Sequence, residues 1–193
     1  MVEKIKLQEN LYVYRQTNEP SVIANTYVLM GSPNILIDAG FMVDEKIEKV
    51  ILTHSHFDHS KNALMYQDKG AKILASNKAE KELLNASQIV SPEDIRKMFN
   101  WKIKKLKINQ TLEENQIIEN ENFKLKVISV PGHTPCSIAL YDEKKQILFS
   151  GDTWFGGERV GRTDLPGGNS DELKKSVEKL KKLKPKLILP GHQ

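Results

Sequence analysis

The residues with the clearest chemistry lie in the segment 53–59, where three imidazoles and one carboxylate occur within six residues. Imidazole nitrogen and carboxylate oxygen are ligands that suit zinc, iron and manganese. His54 and His56 are two residues apart at the end of an apolar run, so their rings can face one point. Asp58 and His59 come after a change of chain direction and can face a second point nearby. This spacing favours two adjacent metal ions over a surface loop that happens to be rich in histidine.

The two remaining histidines share a sequence context. His133 and His192 each follow Pro-Gly at the end of an apolar run, and Asp152 follows Gly at the end of another apolar run, residues 147–151. One histidine near the end of a strand is more often structural than functional. Metal-ligand side chains at the C-terminal ends of four strand-like runs form a stronger pattern. We therefore expect these three side chains to join the cluster.

Together these motifs resemble those of the metallo-β-lactamase superfamily. The cluster has the His-x-His-x-Asp-His pattern of that family, and the later ligands come in its order. The segments at 131–135 (Pro-Gly-His-Thr-Pro), 150–153 (Ser-Gly-Asp-Thr) and 161–164 (Gly-Arg-Thr-Asp) resemble its small glyoxalase II-like hydrolases. The resemblance runs from Asn25 to the last residue and implies an α+β fold, the four-layer αββα sandwich.

The resemblance also implies how the ligands are divided between two divalent metal ions, for which zinc is expected and iron or manganese would also suit. The first metal would be held by three histidines: His54, His56 and His133. The second would be held by Asp58, His59 and His192. Asp152 would bridge the pair.

The composition is that of one domain of ordinary size. The chain has 193 residues, a net charge of +4 with scattered lysines, and one cysteine, Cys136. Scattered lysines indicate solvated faces rather than a nucleic-acid patch, and a lone cysteine excludes an internal disulfide framework. No secretory signal and no apolar run of about eighteen residues occurs. We therefore expect a cytoplasmic protein with a small-molecule substrate, no nucleic-acid partner and no membrane span, and we leave its oligomeric state open.

Short strands with interspersed helices must position these side chains. Apolar or alternating runs bounded by turn residues predict strands at 11–14, 23–30, 34–38, 49–52, 72–75, 123–127, 137–141, 146–149 and 186–189. Helices are expected at 61–69, at 77–85, at 91–99 and after Ser170, which is expected to cap the last of them. Locally paired strands and interspersed helices suit a two-sheet sandwich with helices on its outer faces.

Two features concern the end of the strand predicted at 34–38 and the segment that leads from it to the strand at 49–52. Asp38 begins an Asp-x-Gly element that the family uses to support the metal loop from behind the ligands. An Asx-turn at the end of a strand is an equally good interpretation of Asp38. Only a few residues separate Gly40 from the next strand, whereas relatives place a helix there, so this segment departs from the family pattern by a deletion.

The chemistry that these ligands imply is metal-dependent hydrolysis. Two metals about 3.5–4 Å apart share a water and lower its pKa, which gives a bridging hydroxide at neutral pH. The resemblance points to an ester-like bond, with a thioester of the hydroxyacylglutathione type as the first expectation. Asp58 is expected to act both as a ligand and as a proton acceptor. Cys136 follows His133 by three residues, and a small buried residue is favoured there over a catalytic thiolate.

Arg162 is the candidate substrate-binding residue. In glyoxalase II enzymes the loop after the bridging aspartate supplies a basic residue and a tyrosine that hold glutathione. Arg162 stands at about the basic position, and Asp164 stands near the position of the tyrosine. Arg162 can bind a substrate carboxylate or pair with Asp164 to brace the loop, and both interpretations stay open. We expect residues 1–193 to form one domain without the helical C-terminal domain of larger glyoxalase II enzymes, so the glutathione part of the substrate is also open.

The principal alternative is a mononuclear iron persulfide dioxygenase. These enzymes share the fold, the ligand order and a Gly-Arg-Thr-Asp segment. They hold one iron on two histidines and an aspartate, here His54, His133 and Asp152, which leaves positions open for substrate and O₂. Other members of the superfamily fit less well, since zinc β-lactamases have cysteine at the bridging position and flavodiiron proteins have glutamate where His56 stands. A non-catalytic metal-binding protein is also less favoured, because no ligand is missing.

Overall fold

Two stacked β-sheets make up most of the computed structural model, which describes residues 1–17, 22–79 and 106–192. The first sheet contains, in chain order, β1 (Val2–Gln8), β2 (Leu11–Gln16), β3 (Thr26–Leu29), β4 (Ile35–Ile37), β5 (Lys49–Ile51), β6 (Lys72–Ser76) and β7 (Gln110–Leu112). Strands β1 to β4 pair antiparallel, and β4 to β7 pair parallel. Consecutive strands are therefore neighbours throughout this sheet.

The second sheet is built from the later part of the chain. Its strands are β8 (Ile117–Glu119), β9 (Lys124–Ser129), β10 (Ile138–Asp142), β11 (Ile147–Gly151) and β14 (Leu187–Pro190). They lie in the order β14-β11-β10-β9-β8, with a parallel pair between β11 and β14 and antiparallel pairs elsewhere. A separate two-stranded ribbon pairs β12 (Trp154–Gly156) with β13 (Arg159–Val160).

Helices cover the outer faces of both sheets. Among the described residues these are α1 (Phe57–Ser60), α2 (Ala63–Asp68) and α3 (Ser170–Lys181). Tyr66 of α2 belongs to the apolar cluster on the outer face of the first sheet, and Leu173 and Leu180 of α3 belong to the cluster on the second. The layers are thus helix, sheet, sheet, helix, which confirms the predicted αββα sandwich. None of the described helices is long and apolar enough to cross a membrane.

The core follows from the two-residue period of a strand, which sends successive side chains to opposite faces. In β11, Ile147 and Phe149 enter the cluster between the sheets, whereas Leu148 enters the cluster under α3. In β3, Tyr27 enters the central cluster and Val28 packs on the helical side. The rings of Tyr27 and Phe149 meet edge to face across the two sheets, with centroids 5.4 Å apart.

The structure corrects some predicted boundaries. The expected helix at 61–69 begins at Ala63, because a separate short helix, α1, already occupies Phe57–Ser60. The cap of α3 was predicted one residue too late. Asn169 is the N-cap, since its backbone is extended and its side chain accepts from the amides of Asp171 and Glu172, both at 3.0 Å.

Other predictions fall outside the described residues or were missed. The helix expected at 91–99 and most of the one expected at 77–85 lie outside the described ranges. Five strands of the described residues were not predicted: β1, β7, β8, β12 and β13. Strand β1 is a mostly exposed edge strand with charged residues, and the other four have two or three residues each, so neither kind shows a long apolar pattern.

Candidate metal centre

Strand direction brings the candidate ligands to one end of the sandwich. Strands β9 and β11 are both antiparallel to β10, and β14 is parallel to β11, so the C-terminal ends of all three point the same way. His133, Asp152 and His192 follow these three ends. In the first sheet the parallel strands β4 and β5 are followed by Asp38 and by His54. The ligand-bearing loops of both sheets therefore converge.

Three histidines form the first group of candidate ligands, the three-histidine group: His54, His56 and His133. One nitrogen from each lies within 4.8 Å of the other two. The Nε2 atom of His133 is 3.0 Å from Nδ1 of His56. All three side chains are buried. The structure thus brings together the residues that were predicted to hold one metal.

A second group contains one carboxylate and two imidazoles, and we call it the mixed group: Asp58, His59 and His192. Their ligand atoms also lie within 4.8 Å of one another. Oδ2 of Asp58 is 2.9 Å from Nε2 of His192 and 3.5 Å from Nε2 of His59. Asp58 and His59 lie on α1, and His192 reaches them from the far end of the chain.

Asp152 lies between the two groups. Its Oδ1 is 3.3 Å from Nε2 of His59, and its Oδ2 is 3.5 Å from Nε2 of His192. The same Oδ2 is 3.6 Å from Nε2 of His133 in the three-histidine group. One carboxylate therefore contacts imidazoles from both groups, which is the position that a bridging ligand needs.

Hydrogen bonds behind the rings fix which nitrogen faces the centre. Nδ1 of His133 donates to the carbonyl oxygen of Arg162 at 2.7 Å, and Nδ1 of His59 donates to the carboxylate of Asp38 at 2.8 Å. With Nδ1 used as a donor, a neutral ring presents a bare Nε2. This arrangement gives Asp38 the supporting role that the sequence left open against an Asx-turn.

Thr53 extends this support to a third ring. Its backbone amide and its hydroxyl both donate to the carboxylate of Asp38, at 2.8 and 2.9 Å. Its hydroxyl oxygen also lies 3.1 Å from Nδ1 of His54. Because the hydroxyl proton points to Asp38, the hydroxyl oxygen can accept from His54, which leaves Nε2 of His54 bare.

The ionisation of the three-histidine group suits a cation. Burial lowers the pKa of His54, and the neighbouring His59 lowers it further. Burial and the neighbouring His133 lower the pKa of His56 to about 4. Both rings are therefore neutral at neutral pH, which is the form that binds metal.

The mixed group is ionic in the absence of metal. Burial lowers the pKa of His59, but the charges of Asp38 and Asp152 outweigh it and hold this pKa well above its ordinary value. Burial is likewise outweighed at His192, where the hydrogen bond that Nε2 donates to the carboxylate of Asp58 raises the pKa. In turn the charge on His59 overcomes the effect of burial and lowers the pKa of both Asp58 and Asp152.

Unsatisfied polar atoms support a metal at this place. Among the described residues, Nε2 of His54, Nε2 of His59 and Oδ1 of Asp152 are buried without a hydrogen-bond partner, as is Oγ1 of Thr153. Although Nε2 of His59 and Oδ1 of Asp152 are 3.3 Å apart, they do not make a hydrogen bond. Burying such atoms without partners is costly. Three of the four are metal-ligand types whose atoms lie within 4.8 Å of one another, so the centre fits a bound cation.

Close packing at Gly191 makes the convergence of the loops possible. A Cβ atom at this position would collide with Oδ1 of Asp152 and with the ring of His59. Only glycine allows the backbone to approach the ligands this closely. The Gly that precedes His192 is therefore required by the geometry of the centre.

Two further candidate residues lie near the centre without entering it. Cys136 is buried in the apolar cluster behind the first sheet, as predicted, and its sulfur is 3.3 Å from the hydroxyl of Thr134. Arg162 donates two hydrogen bonds of 2.7 and 2.6 Å to Asp164. This is the pairing expected if Arg162 braces the loop. Both side chains of this pair are largely exposed. Substrate binding by Arg162 stays a prediction.

The sequence did not indicate the roles of Thr53, Asn25 and Tyr27, which contact the ligands or the chain next to them. Asn25 and Tyr27 hydrogen-bond to the backbone just before His192. The available signal was a polar residue at the start of a buried strand, which alone does not point to a distant loop.

Comparison with known proteins agrees with this geometry. A family model described as the metallo-beta-lactamase superfamily matches residues 22–192. The chain belongs to the metallo-beta-lactamase superfamily. It is 30% identical over 166 residues to the hydroxyacylglutathione hydrolase GloC of Haemophilus influenzae, which covers 84% of this chain and 76% of that protein. It is also 25% identical to the acyl-coenzyme A thioesterase MBLAC2 of Homo sapiens, in an alignment that covers 95% of this chain and 72% of that protein.

A solved structure supports both the fold and the metal chemistry of the superfamily. The crystal structure of TTHA1623 in a di-iron-bound form has a TM-score of 0.73 and 27% sequence identity, and covers 92% of this chain and 91% of that chain. The prediction of the metallo-beta-lactamase superfamily and of its fold is thus confirmed. Hydrolases of this superfamily typically bind divalent metals, and the His and Asp cluster of this chain fits such a cofactor.

Proposed function

We propose that this protein hydrolyses a thioester of a small molecule with the help of two divalent metal ions. One observation carries the proposal: Asp152 contacts both the three-histidine group and the mixed group, and it forms a further group of three close ligands with one histidine from each, His54 and His59. The relatives add support for the substrate class. One is named for a hydroxyacylglutathione and another for an acyl-coenzyme A thioester, and both names denote cleavage of a thioester.

The proposed ligand sets follow the two groups. The three-histidine group would hold one metal and the mixed group the other, with Asp152 between them. Zinc is proposed for both, although the same nitrogen and oxygen ligands accept iron or manganese. Bound metals of this kind lower the pKa of water and polarise the carbonyl under attack.

Exposure indicates the side from which a substrate approaches. The side chains of Asp58 and His192 are 20% and 24% exposed, whereas those of His59 and His133 are 0% and 3% exposed. A thioester carbonyl therefore reaches the centre past Asp58 and His192. Asp58, whose pKa is lowered chiefly by the charge on His59 against the effect of burial, is ionised at neutral pH. Its carboxylate can take up the proton that the attacking water releases.

Replacing Asp58 tests this role. We expect Asp58→Asn to lower kcat by about 10²- to 10⁴-fold on a panel of glutathione and coenzyme A thioesters, because an amide cannot accept the proton. The variant keeps the size of the side chain, so circular dichroism and the occupancy of the three-histidine group should stay close to wild type. Asp44→Asn, at an exposed position, serves as the matched control and should leave kcat unchanged. Unchanged turnover in the Asp58 variant would contradict the mechanism.

The same preparation separates hydrolysis from the dioxygenase alternative. Protein purified without added metal is analysed for its elements, and oxygen uptake is followed with a persulfide as substrate. Two metals per chain together with thioester hydrolysis support the proposal. One iron per chain, persulfide-dependent oxygen consumption and no thioester hydrolysis would overturn it.

A further inference from the structure

The position of His192 requires an explanation beyond its own strand. His192 is the last described residue, and it follows β14, which lies at the edge of the second sheet. Residues in the loop after a strand are more mobile than the strand unless other contacts hold them. A metal ligand, however, must be held to within roughly half an ångström of its working position. Some contact other than the pairing of β14 with β11 must supply that order.

The contacts come from the opposite sheet. The carbonyl oxygen of Pro190 accepts from the hydroxyl of Tyr27 at 2.6 Å and from Nδ2 of Asn25 at 3.1 Å. The carbonyl oxygen of Gly191 accepts from the backbone amide of Asn25 at 2.7 Å. Three hydrogen bonds from the beginning of β3 thus hold the two peptide units that precede His192. We call Asn25 and Tyr27 the clamp.

The clamp is itself rigid. Tyr27 and Asn25 are both buried, and the ring of Tyr27 packs edge to face on Phe149. Burial raises the pKa of Tyr27, so its phenol keeps the proton that it donates. Nδ2 of Asn25 also lies 3.4 Å from the hydroxyl of Tyr27. The donors are therefore already in place before any metal arrives.

The backbone held by the clamp has little room to move. On one side the amide of Gly191 donates to the carbonyl oxygen of Gly151 at 2.9 Å. On the other side the Cα of Gly191 is so close to Asp152 and His59 that a Cβ would collide with both. A shift of this peptide would move the imidazole of His192 relative to Asp58, its partner at 2.9 Å.

We propose that Asn25 and Tyr27 are positioning residues that hold the carbonyls of Pro190 and Gly191 and thereby set the affinity of the mixed group for its metal. This inference rests on the proposed function in one respect, the assignment of His192 as a metal ligand. It assigns the clamp no contact with substrate.

A pair of tyrosine variants tests the clamp. Tyr27→Phe removes one oxygen and keeps the ring on Phe149. Tyr66→Phe is the matched control, because Tyr66 is also buried and its hydroxyl donates to a backbone carbonyl, that of Phe41, at 2.8 Å. In titrations of metal-free protein with zinc, we expect Tyr27→Phe to lower the affinity for the second zinc ion by about 10- to 100-fold. The affinity for the first zinc ion should stay unchanged. Tyr66→Phe should change neither, and His192→Ala should lose the second equivalent.

Hydrogen exchange of the metal-free protein gives a readout that does not depend on metal. Tyr27→Phe should speed exchange in the peptide 187–192, and Tyr66→Phe should not. If the Tyr27 variant exchanges at the wild-type rate, the clamp does not hold this segment. If exchange is faster but the affinity for the second zinc ion is unchanged, the clamp does not set metal affinity. If wild-type protein binds fewer than two zinc ions, the proposed function and the effect of the clamp on metal affinity are both contradicted. The comparison of hydrogen exchange still decides whether the clamp holds the segment 187–192.

Discussion

Asp38 uses its carboxylate to support histidines in both ligand groups. It accepts from His59 directly at 2.8 Å and reaches His54 through the hydroxyl of Thr53. Such partners orient an imidazole and raise its basicity as a ligand. A substitution of Asp38 should therefore change the orientation of a histidine in the three-histidine group and of another in the mixed group, although Asp38 belongs to neither group.

The different ionisation of the two groups predicts a pH dependence of metal binding. The raised pKa of His59 and of His192 means that these rings hold protons which a metal must displace. The lowered pKa of His54 and the pKa of about 4 at His56 mean that those rings are neutral near neutral pH, so a metal can bind a bare nitrogen without displacing a proton. As the pH falls from about 8 to about 5.5, the second zinc equivalent should therefore weaken more steeply than the first. Zinc titrations over this range measure both, and equal slopes would contradict the assignment.

Chemical distinctiveness decided which site residues could be predicted. Histidine and aspartate are common metal ligands, so their positions at strand ends indicate all seven side chains that the structure brings together. Thr53, Asn25 and Tyr27 are ordinary residues of a strand or its end. Asn25 and Tyr27 acquire their role because folding places the carbonyl of Pro190 beside β3, 163 positions from Tyr27. No local sequence pattern predicts this long-range contact.

At the scale of elements, the start of α3 is joined to the loop that carries His133. The amide of Asn169 donates to the carbonyl oxygen of Gly132 at 2.8 Å. A Cβ at Gly132 would collide with the backbone of Leu173, and Gly132 has a φ of +134°, so glycine is needed there. The helix therefore serves as the surface on which the His133 loop is fixed.

The cap of α3 can be tested by a neighbouring pair of variants. Asn169→Ala removes the side chain that accepts from the amides of Asp171 and Glu172, so we expect a loss of about 1 kcal/mol in the free energy of unfolding. Ser170→Ala, one residue later and exposed, should change it by less than about 0.5 kcal/mol. Urea denaturation of the metal-free proteins gives both values. A larger loss in the Ser170 variant would show that the cap is misassigned.

Element prediction succeeded where the apolar period was long and failed where it was short. Residues 123–127 alternate between apolar residues and lysine, whereas 138–141 and 147–149 are continuous apolar runs, and both patterns predict strands. The edge strand β1 exposes most of its side chains, so its pairing with β2 leaves little trace in residue type. The cap was misplaced because Asn169 and Ser170 are both good capping residues, and only the backbone angles and side-chain hydrogen bonds of the folded chain distinguish them.

At the scale of the whole molecule, the candidate centre joins the two sheets. His54 to His59 follow a strand of the first sheet, whereas His133, Asp152 and His192 follow strands of the second. A metal that contacts both sets binds the folded chain and not the unfolded one, so it stabilises the fold by mass action. The centre is thus a link in the structure as well as a place for chemistry.

Metal removal should therefore lower the melting temperature. At a free zinc concentration of about 100 times Kd, one site contributes about 2.7 kcal/mol, which corresponds to roughly 5–10 °C for a chain of this size. Calorimetry before and after dialysis against a chelator measures the shift. Zinc should restore it, and magnesium, which loses its waters reluctantly, should not. An unchanged melting temperature on chelation would contradict a metal link between the sheets.

Arg162 divides its atoms between the interior and the surface. Its main-chain oxygen accepts the hydrogen bond from His133, while its guanidinium lies at the surface beside Asp164. Every amino acid has that oxygen, so a substitution at this position changes the charge of the loop surface and still retains the interior contact. The surface charge of this loop and the orientation of the His133 ring can accordingly vary independently at a single position.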